Sequence, residues 1–404
     1  MRKLLLASVA TLAGTFAVSG AAHAQAAKAP APGTVVVHLN GNFTFAMAAV
    51  GYQNSGTTKY SSMNTVGLFR LYPGFDATTE GGLQYGVSGE LREMSDSTAG
   101  AGVSGSSGSA VGLYVRRAYG YVGTKDAGFL RFGQGDGAFT LMSYGDIESF
   151  GDGQQWNSDG SLGSITSTGK PSNLFAATGA LYTTSKVVYL SPSYAGVNFA
   201  VSFEPNSNGL YQGTGGASAE SAISGSSPSR RKNTIDAMVG YTGEAAGAKF
   251  KVSGGYIESA PLGNTAGAQM YKNLGVAQVG GQVEYAGAAL GVNYKFGAEN
   301  GNFGFKTVGQ RNDSDILFSG TYTMGPVLVG ASYFFNQNAG AYSVGGTHAR
   351  TATNDGLAVG ADYNLAKNFT VFTQYLYGQT HQKTTTTKGD AHVNAVDVGA
   401  VLKW

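Results

Sequence analysis

Cysteine is absent from the 404-residue chain. An exported chain of this size without disulfides cannot be a stapled mini-domain. The same absence rules out cysteine-based metal or redox chemistry. The histidines beyond residue 24 are too scattered in sequence to indicate a metal cluster; they are His38, His348, His381 and His392. These residues give no support to an enzyme or to a bound cofactor.

Long hydrophobic runs and a charge excess are also lacking. Beyond the first 24 residues, no segment has 18 uninterrupted apolar residues, which excludes a transmembrane helix there. The chain has 26 basic and 24 acidic residues, and without Arg2 and Lys3 the basic count falls to 24. A chain with no net charge gives no reason to expect a nucleic-acid partner.

The first residues predict export. Arg2 and Lys3 precede an apolar stretch at residues 4–18, and the small-residue sequence Ala22-His23-Ala24 follows. This pattern predicts a secretory signal peptide at residues 1–24. The alternative is a membrane anchor, for which the run is too short and too rich in small residues. Residues 25–33, which include a Pro-rich stretch, are predicted to be a short lead-in.

The residues that are abundant favour strands. Glycine occurs 63 times, tyrosine and phenylalanine together 44 times, and charged residues make up only 12% of the chain. A soluble sandwich could share this composition. A membrane barrel explains it better, because it needs aromatic residues at both interfaces and glycine where strands bend or pack closely.

Apolar and polar residues alternate with a period of two from Thr34 to the last residue. In one clear instance Val197, Phe199, Val201 and Phe203 alternate with polar or small residues. Such alternation gives each strand one apolar and one polar face. The apolar face would point into the core of a sandwich or towards lipid in a barrel, and the period alone does not choose between them.

The connections between strands favour the barrel. Short turns alternate along the chain with long polar loops, as in outer-membrane barrels. This pattern predicts sixteen strands within residues 34–404, an all-β, transmembrane, antiparallel closed barrel with an open aqueous lumen. The predicted strands begin near residues 34, 65, 83, 111, 129, 186, 197, 233, 248, 275, 288, 315, 327, 356, 369 and 391.

Several motifs resemble the general porin family of Gram-negative bacteria, in its alphaproteobacterial form. They occur in family order and cover the third to seventh and the last three strands. The motifs are residues 81–86 (GGLQYG), 117–123 (RAYGYVG), 128–134 (GFLRFGQ), 189–197 (YLSPSYAGV) and 360–367 (GADYNLAK). Two positions depart from the family pattern, since Gln134 replaces a basic residue and Trp404 replaces the terminal phenylalanine.

The resemblance implies a constriction loop after the fifth strand. The longest loop, residues 135–185, stands in that place, and in the family this loop folds into the lumen. Asp146, Glu148 and Asp152 would then form the acidic side of the constriction. The alternative is a solvated acidic external loop.

The opposite side of the constriction should be basic. The alternation places four arginines on or near the inward face of the second to fifth strands: Arg70, Arg92, Arg116 and Arg131. The cost of an arginine that faces lipid at midplane, about 2–4 kcal/mol, supports this inward assignment. Arg116 is inward if Tyr119 and Tyr121 face lipid, whereas Arg117 then has the wrong phase and would lie at a rim. The alternatives are snorkelling to the interface and structural ion pairing.

The resulting expectation is a passive porin for small hydrophilic solutes and ions. The resemblance also implies a homotrimer in a membrane with lipopolysaccharide, inserted by the barrel-assembly machinery that reads the terminal aromatic residue, Trp404. A basic cluster at residues 229–232 is interpreted as a lipopolysaccharide or loop contact. Two other functions remain open. One is a sugar- or anion-selective channel, for which Tyr72, Phe334 and Phe372 are inward aromatic candidates, and the other is a plugged adhesive or structural barrel.

Overall fold

The computed structural model describes residues 29–51, 54–55, 58–59, 61–93, 113–156, 175, 181, 184–207, 209–210, 231–261, 271–340, 349–384 and 388–404. The predicted signal peptide, residues 1–24, lies outside the described residues. Within them, no helix is long and apolar enough to cross a membrane.

Sixteen antiparallel strands form one closed barrel, in which each strand pairs with the next and the last pairs with the first. The fold prediction is therefore confirmed. The strands are β1 (Val35–Val50), β2 (Met63–Thr78), β3 (Gln84–Glu93), β4 (Leu113–Thr124), β5 (Gly128–Gln134), β6 (Ser185–Leu190), β7 (Val197–Asn206), β8 (Arg231–Ala245), β9 (Ala248–Pro261), β10 (Leu274–Tyr285), β11 (Ala288–Ala298), β12 (Asp313–Met324), β13 (Val327–Asn338), β14 (Ala349–Ala366), β15 (Phe369–Thr384) and β16 (Lys388–Lys403).

Two of the predicted strand starts differ from the structure by more than two residues. β14 begins at Ala349 and not near residue 356, and the connection between β15 and β16 is only residues 385–387. Both differences arise where polar residues continue a strand beyond its apolar alternation. A two-residue hairpin, Asn54–Ser55 with Thr58–Lys59, and a short helix α1 (Ala138–Leu141) are the additional elements in the described residues.

The two faces of the wall differ as the alternation predicts. On β1, the outward Phe43, Phe45 and Met47 are exposed, whereas the inward Ala46 and Ala48 are fully buried. Outward apolar side chains suit contact with hydrocarbon, and closing the barrel pairs the backbone groups that hydrocarbon cannot satisfy. The inward faces are buried because part of the chain fills the lumen beside them.

Short connections lie at one end of the barrel, called here the turn end, and long connections lie at the other, the loop end. Three of the short turns contain an Ala-Gly pair, at residues 195–196, 246–247 and 286–287, in which both residues have positive φ. Positive φ at both central residues defines the type I′ turn, whose twist matches paired antiparallel strands. The glycine in each pair adopts this conformation without steric penalty.

The last residue completes the barrel. The amide of Trp404 donates to the carbonyl of Gly41 at 3.1 Å, and the amide of Gly41 donates back at the same distance. The indole packs against Phe69 with ring centroids 6.0 Å apart. A Cβ at Gly41 would lie 2.6 Å from indole Cε2, so glycine leaves the space that this terminal aromatic side chain fills.

Candidate functional site

The connection between β5 and β6 enters the barrel. Its described first part, residues 135–156, is called here the lumen loop. At its root, Lys186 Nζ donates to the carbonyl of Gly135 at 2.7 Å, and Glu204 forms ion pairs with Lys186 at 3.2 Å and with Arg231 at 2.8 Å. All three charged residues are buried, so the loop leaves the wall at a compensated ionic anchor.

Beyond the root, the backbone of the lumen loop is hydrogen-bonded to inward side chains of the wall. These bonds satisfy buried donors that would otherwise destabilise the loop. In order along the loop, they are Phe139 N to Asp236 at 2.9 Å, Tyr144 N to Ser253 at 3.2 Å, Ile147 N to Ser319 at 3.0 Å and Gly151 N to Asp362 at 2.7 Å. The loop therefore follows the inner wall from β8 to β14, which confirms that it folds into the lumen.

Two apolar contacts hold the ends of this path. At one end, Phe139 and Met142 of the α1 region pack with Met238 and Ile257 of β8 and β9. At the other, Phe150 and Trp156 pack with a cluster that includes Phe334. Trp156 lies edge-on to Phe334 with centroids 4.7 Å apart, and its indole N–H donates to Ser332 at 2.9 Å. The tryptophan thus has both apolar and polar partners in the lumen.

Glycines of the inner wall make room for the loop. A Cβ at Gly291 would lie 2.6 Å from the carbonyl oxygen of Gly145, and one at Gly360 would lie 2.9 Å from the Phe150 ring. Both distances are shorter than real contacts of a Cβ atom. The glycines therefore form a trough on β11 and β14 in which loop backbone and aromatic rings lie against the wall.

The three acidic residues of the lumen loop have different surroundings. Glu148 is buried, and its carboxylate accepts a hydrogen bond from Trp156 N at 2.7 Å. Asp152 accepts from Gln154 N at 3.0 Å, and Asp146 accepts from Ser143 Oγ at 3.3 Å. Each carboxylate therefore supports the folded shape of the loop.

Glu148 has the most perturbed environment of the three. Burial, with a smaller contribution from the carboxylates of Asp146 and Asp152, raises the pKa of Glu148 to about 8 against the opposing effect of the Trp156 N–H. Because this pKa lies above neutrality, Glu148 is mostly uncharged at pH 7. The acidic side of the lumen then depends on Asp146 and Asp152.

The predicted basic residues Arg70, Arg92 and Arg116 come together on β2 to β4, where Arg70 and Arg92 are opposite each other in register. All three are buried. Glu90 lies among them and forms ion pairs with Arg92 and, at 3.4 Å, with Arg116. Arg70 Nη2 donates to Gln154 Oε1 at 2.6 Å, so the far end of the lumen loop reaches the arginines.

Arg117 also belongs to this cluster, and the prediction that it lies at a rim is wrong. A register shift between Glu90 and Leu91 inserts one extra residue in β4 opposite β3. This bulge lets consecutive residues contact the same carboxylate, so Arg117 also pairs with Glu90, and with Asp136 at 2.8 Å. Tyr119 and Tyr121 then face inward and not towards lipid, since Tyr121 OH donates to Asp76.

Asp136 is the second carboxylate of the arginine cluster. It is buried directly after β5. Burial acts to raise the pKa of Asp136, but Arg117, Arg116 and Lys186 together outweigh it and lower the pKa below its ordinary value. Asp136 therefore remains ionised and compensates part of the arginine charge.

Arg131 does not join the cluster. It lies opposite Tyr121, four residues along β4 from Arg117, which corresponds to about 13 Å towards the turn end. Its guanidinium carbon lies 3.8 Å from the centroid of the Tyr119 ring. The exposed Phe132 beside it faces outward, so Arg131 is inward as predicted, in a cation–π contact.

The remaining candidates are placed as follows. Tyr72, Phe334 and Phe372 are buried on the inner face, but Trp156 covers Phe334. Of the basic cluster at residues 229–232, Arg231 is buried at the start of β8 in its ion pair with Glu204, which corrects its interpretation as an external lipopolysaccharide contact. Residues 229 and 230 lie outside the described residues.

Sequence reasoning missed Glu90, Asp136 and Gln154. The inward position of Glu90 could have been predicted, because Tyr85 and Val87 have the opposite phase on β3 and are exposed. The contact of Gln154 with Arg70 joins residues 84 positions apart, and nothing in the local pattern indicates such a contact.

Comparison with known proteins gives a family and a fold. The family model described as Gram-negative porin matches residues 7–385. Among solved structures, the anion-selective porin from Comamonas acidovorans is 14% identical, with 92% of this chain and 100% of that chain covered and a TM-score of 0.57. OmpT of Vibrio cholerae is 14% identical (93% and 100% covered, TM-score 0.55), and the outer membrane channel DcaP of Acinetobacter baumannii is 12% identical (93% and 100% covered, TM-score 0.55). No curated protein sequence matches the chain.

Proposed function

Since the chain belongs to the Gram-negative porin family and is an outer-membrane channel for the passive diffusion of solutes, we propose that its constriction favours anions. The observation that carries this proposal is the excess of arginine over carboxylate on β2 to β5. Arg92, Arg116 and Arg117 share the two carboxylates of Glu90 and Asp136.

Arg70 and Arg131 add charge that no close carboxylate compensates. Among the described residues, neither has an acidic partner within ion-pair distance, since Arg70 donates to the neutral Gln154 and Arg131 lies over Tyr119. On the lumen loop, the raised pKa of Glu148 leaves it mostly neutral at pH 7. Asp76 lies at the level of Arg131 along the barrel, so the positive excess is in the arginine cluster itself, where four arginines surround Glu90 and Asp136.

Transport through such a pore needs no energy source. Arginines on one side and Asp146 and Asp152 on the other create a transverse field in a narrow water-filled gap. Hydrated ions and small polar solutes that orient in this field pass, and apolar or bulky solutes are retarded because they displace water or do not fit. The Comamonas acidovorans protein of similar fold is described as anion-selective, which agrees with the direction proposed here.

Two alternatives have less support. A sugar-selective channel needs a line of accessible inward aromatic residues, but Trp156 covers Phe334 and both rings are buried. A plugged adhesive barrel needs a lumen that the loop closes entirely, whereas the described lumen loop lies along the wall. The family also supports a channel without catalytic activity over an enzyme.

The test is single-channel conductance of the refolded protein in a planar bilayer, with a KCl gradient to measure the reversal potential. We expect ohmic steps and a reversal potential of the sign that shows anion preference. A folded barrel that never conducts would favour the plugged barrel, and a potential showing cation preference would contradict the proposed selectivity.

The variant Arg70→Gln tests directly whether charge at the constriction sets the ion selectivity. A unit charge about 8 Å from the ion path changes an ion's energy by about 0.5 kcal/mol in water, with opposite sign for anions and cations, so the anion-to-cation permeability ratio should fall about fivefold. Lys367→Gln removes the same charge from the turn between β14 and β15 and serves as the control. An equal effect of the two substitutions would show that net charge, and not the constriction, sets selectivity.

The partners are proposed on family membership. We propose a homotrimer in the lipopolysaccharide-containing outer membrane, exported by the signal peptide at residues 1–24 and inserted by the barrel-assembly machinery, which reads Trp404. The outward and exposed position of Trp404 supports this last step. Chemical cross-linking of the purified protein tests the trimer, and a Trp404→Ser variant with reduced insertion would support the role of the terminal residue.

A further inference from the structure

Three carboxylates meet at the loop end of the barrel, away from the arginine cluster. Glu299 begins the connection between β11 and β12, and Asp313 and Asp315 lie at the start of β12. All three are buried, and one oxygen from each lies within 4.8 Å of the others. Like charges at this separation repel strongly when they are buried.

The surrounding donors compensate this cluster only in part. Gly301 N donates to Asp313 at 2.8 Å, and Phe303 N donates to Glu299 Oε2 at 2.7 Å. The Asn336 side-chain amide donates to both aspartates. The other oxygen of the Glu299 carboxylate, Oε1, is buried and accepts no hydrogen bond from the described residues.

The charge balance is also incomplete. Lys295 is the basic partner in the cluster, with Nζ 3.4 Å from Asp315, so three carboxylates share one ammonium group. Among the described residues, a divalent cation would supply the two positive charges that this cluster lacks.

The geometry points to a calcium site: we propose that Glu299, Asp313 and Asp315 bind one Ca²⁺ ion. Calcium takes oxygen ligands at about 2.3–2.6 Å, so two ligands on opposite sides of the ion can be about 4.8 Å apart. Magnesium requires shorter and more regular coordination, and zinc prefers nitrogen and sulfur ligands. The unpartnered Glu299 Oε1 is an available oxygen ligand.

The ion would fasten the loop end of the pore to the lumen. It would join Glu299 of the connection to β12, where the backbone at Gly301, Asn302 and Phe303 has three consecutive positive φ values. Such a conformation persists only when its surroundings hold it. Lys295 extends the link, because its ammonium group donates to the carbonyl of Phe175 at 2.8 Å, in the same β5–β6 connection that contains the lumen loop.

The test is calorimetric titration of CaCl₂ into the refolded, EDTA-treated barrel in detergent. The wild type should bind one Ca²⁺ per chain, and Mg²⁺ should bind more than about tenfold more weakly. Glu299→Gln should weaken calcium binding by more than about tenfold, because glutamine keeps the acceptor for Phe303 N but loses the charge. Glu284→Gln is the matched control: this half-exposed carboxylate on β10 pairs with Lys251, and the variant should bind calcium as the wild type does.

No saturable binding by the wild type, unchanged binding by Glu299→Gln, or equal binding of Mg²⁺ would overturn the proposal. Folding of each variant is checked by heat-modifiable migration in electrophoresis. If Glu299→Gln does not fold, Asp313→Asn removes a second ligand and gives the same comparison. Binding is measured without reference to conduction, so the result is independent of the proposed ion selectivity.

Discussion

The inner wall of this barrel has two sides, one covered by the lumen loop and one that carries a cluster of arginines. From β8 to β14 the wall offers glycine, serine and a few isolated acidic side chains, and the lumen loop lies against it. From β2 to β4 it carries four arginines around Glu90. One side is shaped to be covered by protein, and the other holds charge together beside the end of the loop.

The two sides are stabilised by different interactions: packing and hydrogen bonds on the covered side, and buried ion pairs on the charged side. On the covered side, steric fit and single hydrogen bonds to serine and aspartate side chains place the loop, and a neutral bond of this kind contributes about 1 kcal/mol. On the charged side, a buried carboxylate is held among several guanidinium groups, and loss of one partner leaves the others uncompensated. Substitutions on the two sides should therefore differ in both size and kind of effect.

The largest expected effect is on the charged side. Glu90→Gln leaves Arg92, Arg116 and Arg117 without their shared carboxylate and should lower the free energy of unfolding by about 3–5 kcal/mol. Denaturant unfolding in detergent micelles measures this change. On the covered side, Ser319→Ala removes the acceptor of Ile147 N and the donor to the Gly145 carbonyl and should cost about 1–3 kcal/mol. Equal losses for the two variants would remove the distinction between the sides.

The next effect is steric. Gly291→Val places a side chain where the carbonyl of Gly145 lies, and overpacking of this kind costs about 1–3 kcal/mol. We expect the lumen loop to shift from the wall, which acrylamide quenching of Trp156 fluorescence measures in a Trp404→Phe background, since the chain has two tryptophans.

Gly281→Val is the control for this steric effect. Gly281 lies on β10, next to β11, and its Cβ would have its nearest neighbour, the Lys251 carbonyl oxygen of β9, at 3.5 Å, which is an ordinary contact. Quenching of Trp156 should then be unchanged. If Gly291→Val also left the quenching unchanged, the trough would not be what positions the loop.

The smallest effect, for a change of one pH unit near neutrality, is a pH dependence of the covered side. The pKa of Glu148 is raised from 4.5 to about 8, so the folded loop retains a proton that the released loop gives up. Its contribution to loop attachment is complete below pH 4.5 and is lost as the pH rises to about 8, by about 1.4 kcal/mol per pH unit. Quenching of Trp156 should increase over this range and stay constant in Glu148→Gln, and a pH-independent wild type would contradict the assignment.

The fold could be predicted because strand alternation is a local signal. The strands at Val197, Ala248, Ala288, Val327 and Phe369 begin at the predicted residues, where apolar alternation starts directly after a turn. β14 begins earlier than predicted because residues 349–355 are Thr, Ala, Arg, Asn and Asp, which pair in the sheet without an apolar face. Register with the neighbouring strands, and not side-chain hydropathy, defines that segment.

The site was predictable in part. Arg70, Arg92 and Arg116 were placed correctly on the inner wall because an arginine facing lipid is costly. Arg117 was not, since a single bulge reverses the phase of every residue that follows it. The role of Glu148 also depended on the fold, because a carboxylate in a loop is charged or neutral according to what covers it, and only the packing of Trp156 shows that.

The hydrogen bonds between Gly41 and Trp404 join the beginning of the first strand to the final residue. While β16 is missing, a nascent or truncated chain is an open sheet with two unpaired edges, each able to recruit a strand of another molecule. Nine residue pairs between β1 and β16, from Asn42 with Lys403 to Val50 with Ala395, end that exposure. A chain of this design must therefore be kept apart from its own copies until its closing strand is in place, and a truncation that removes only β16 would leave both edges of the sheet unpaired.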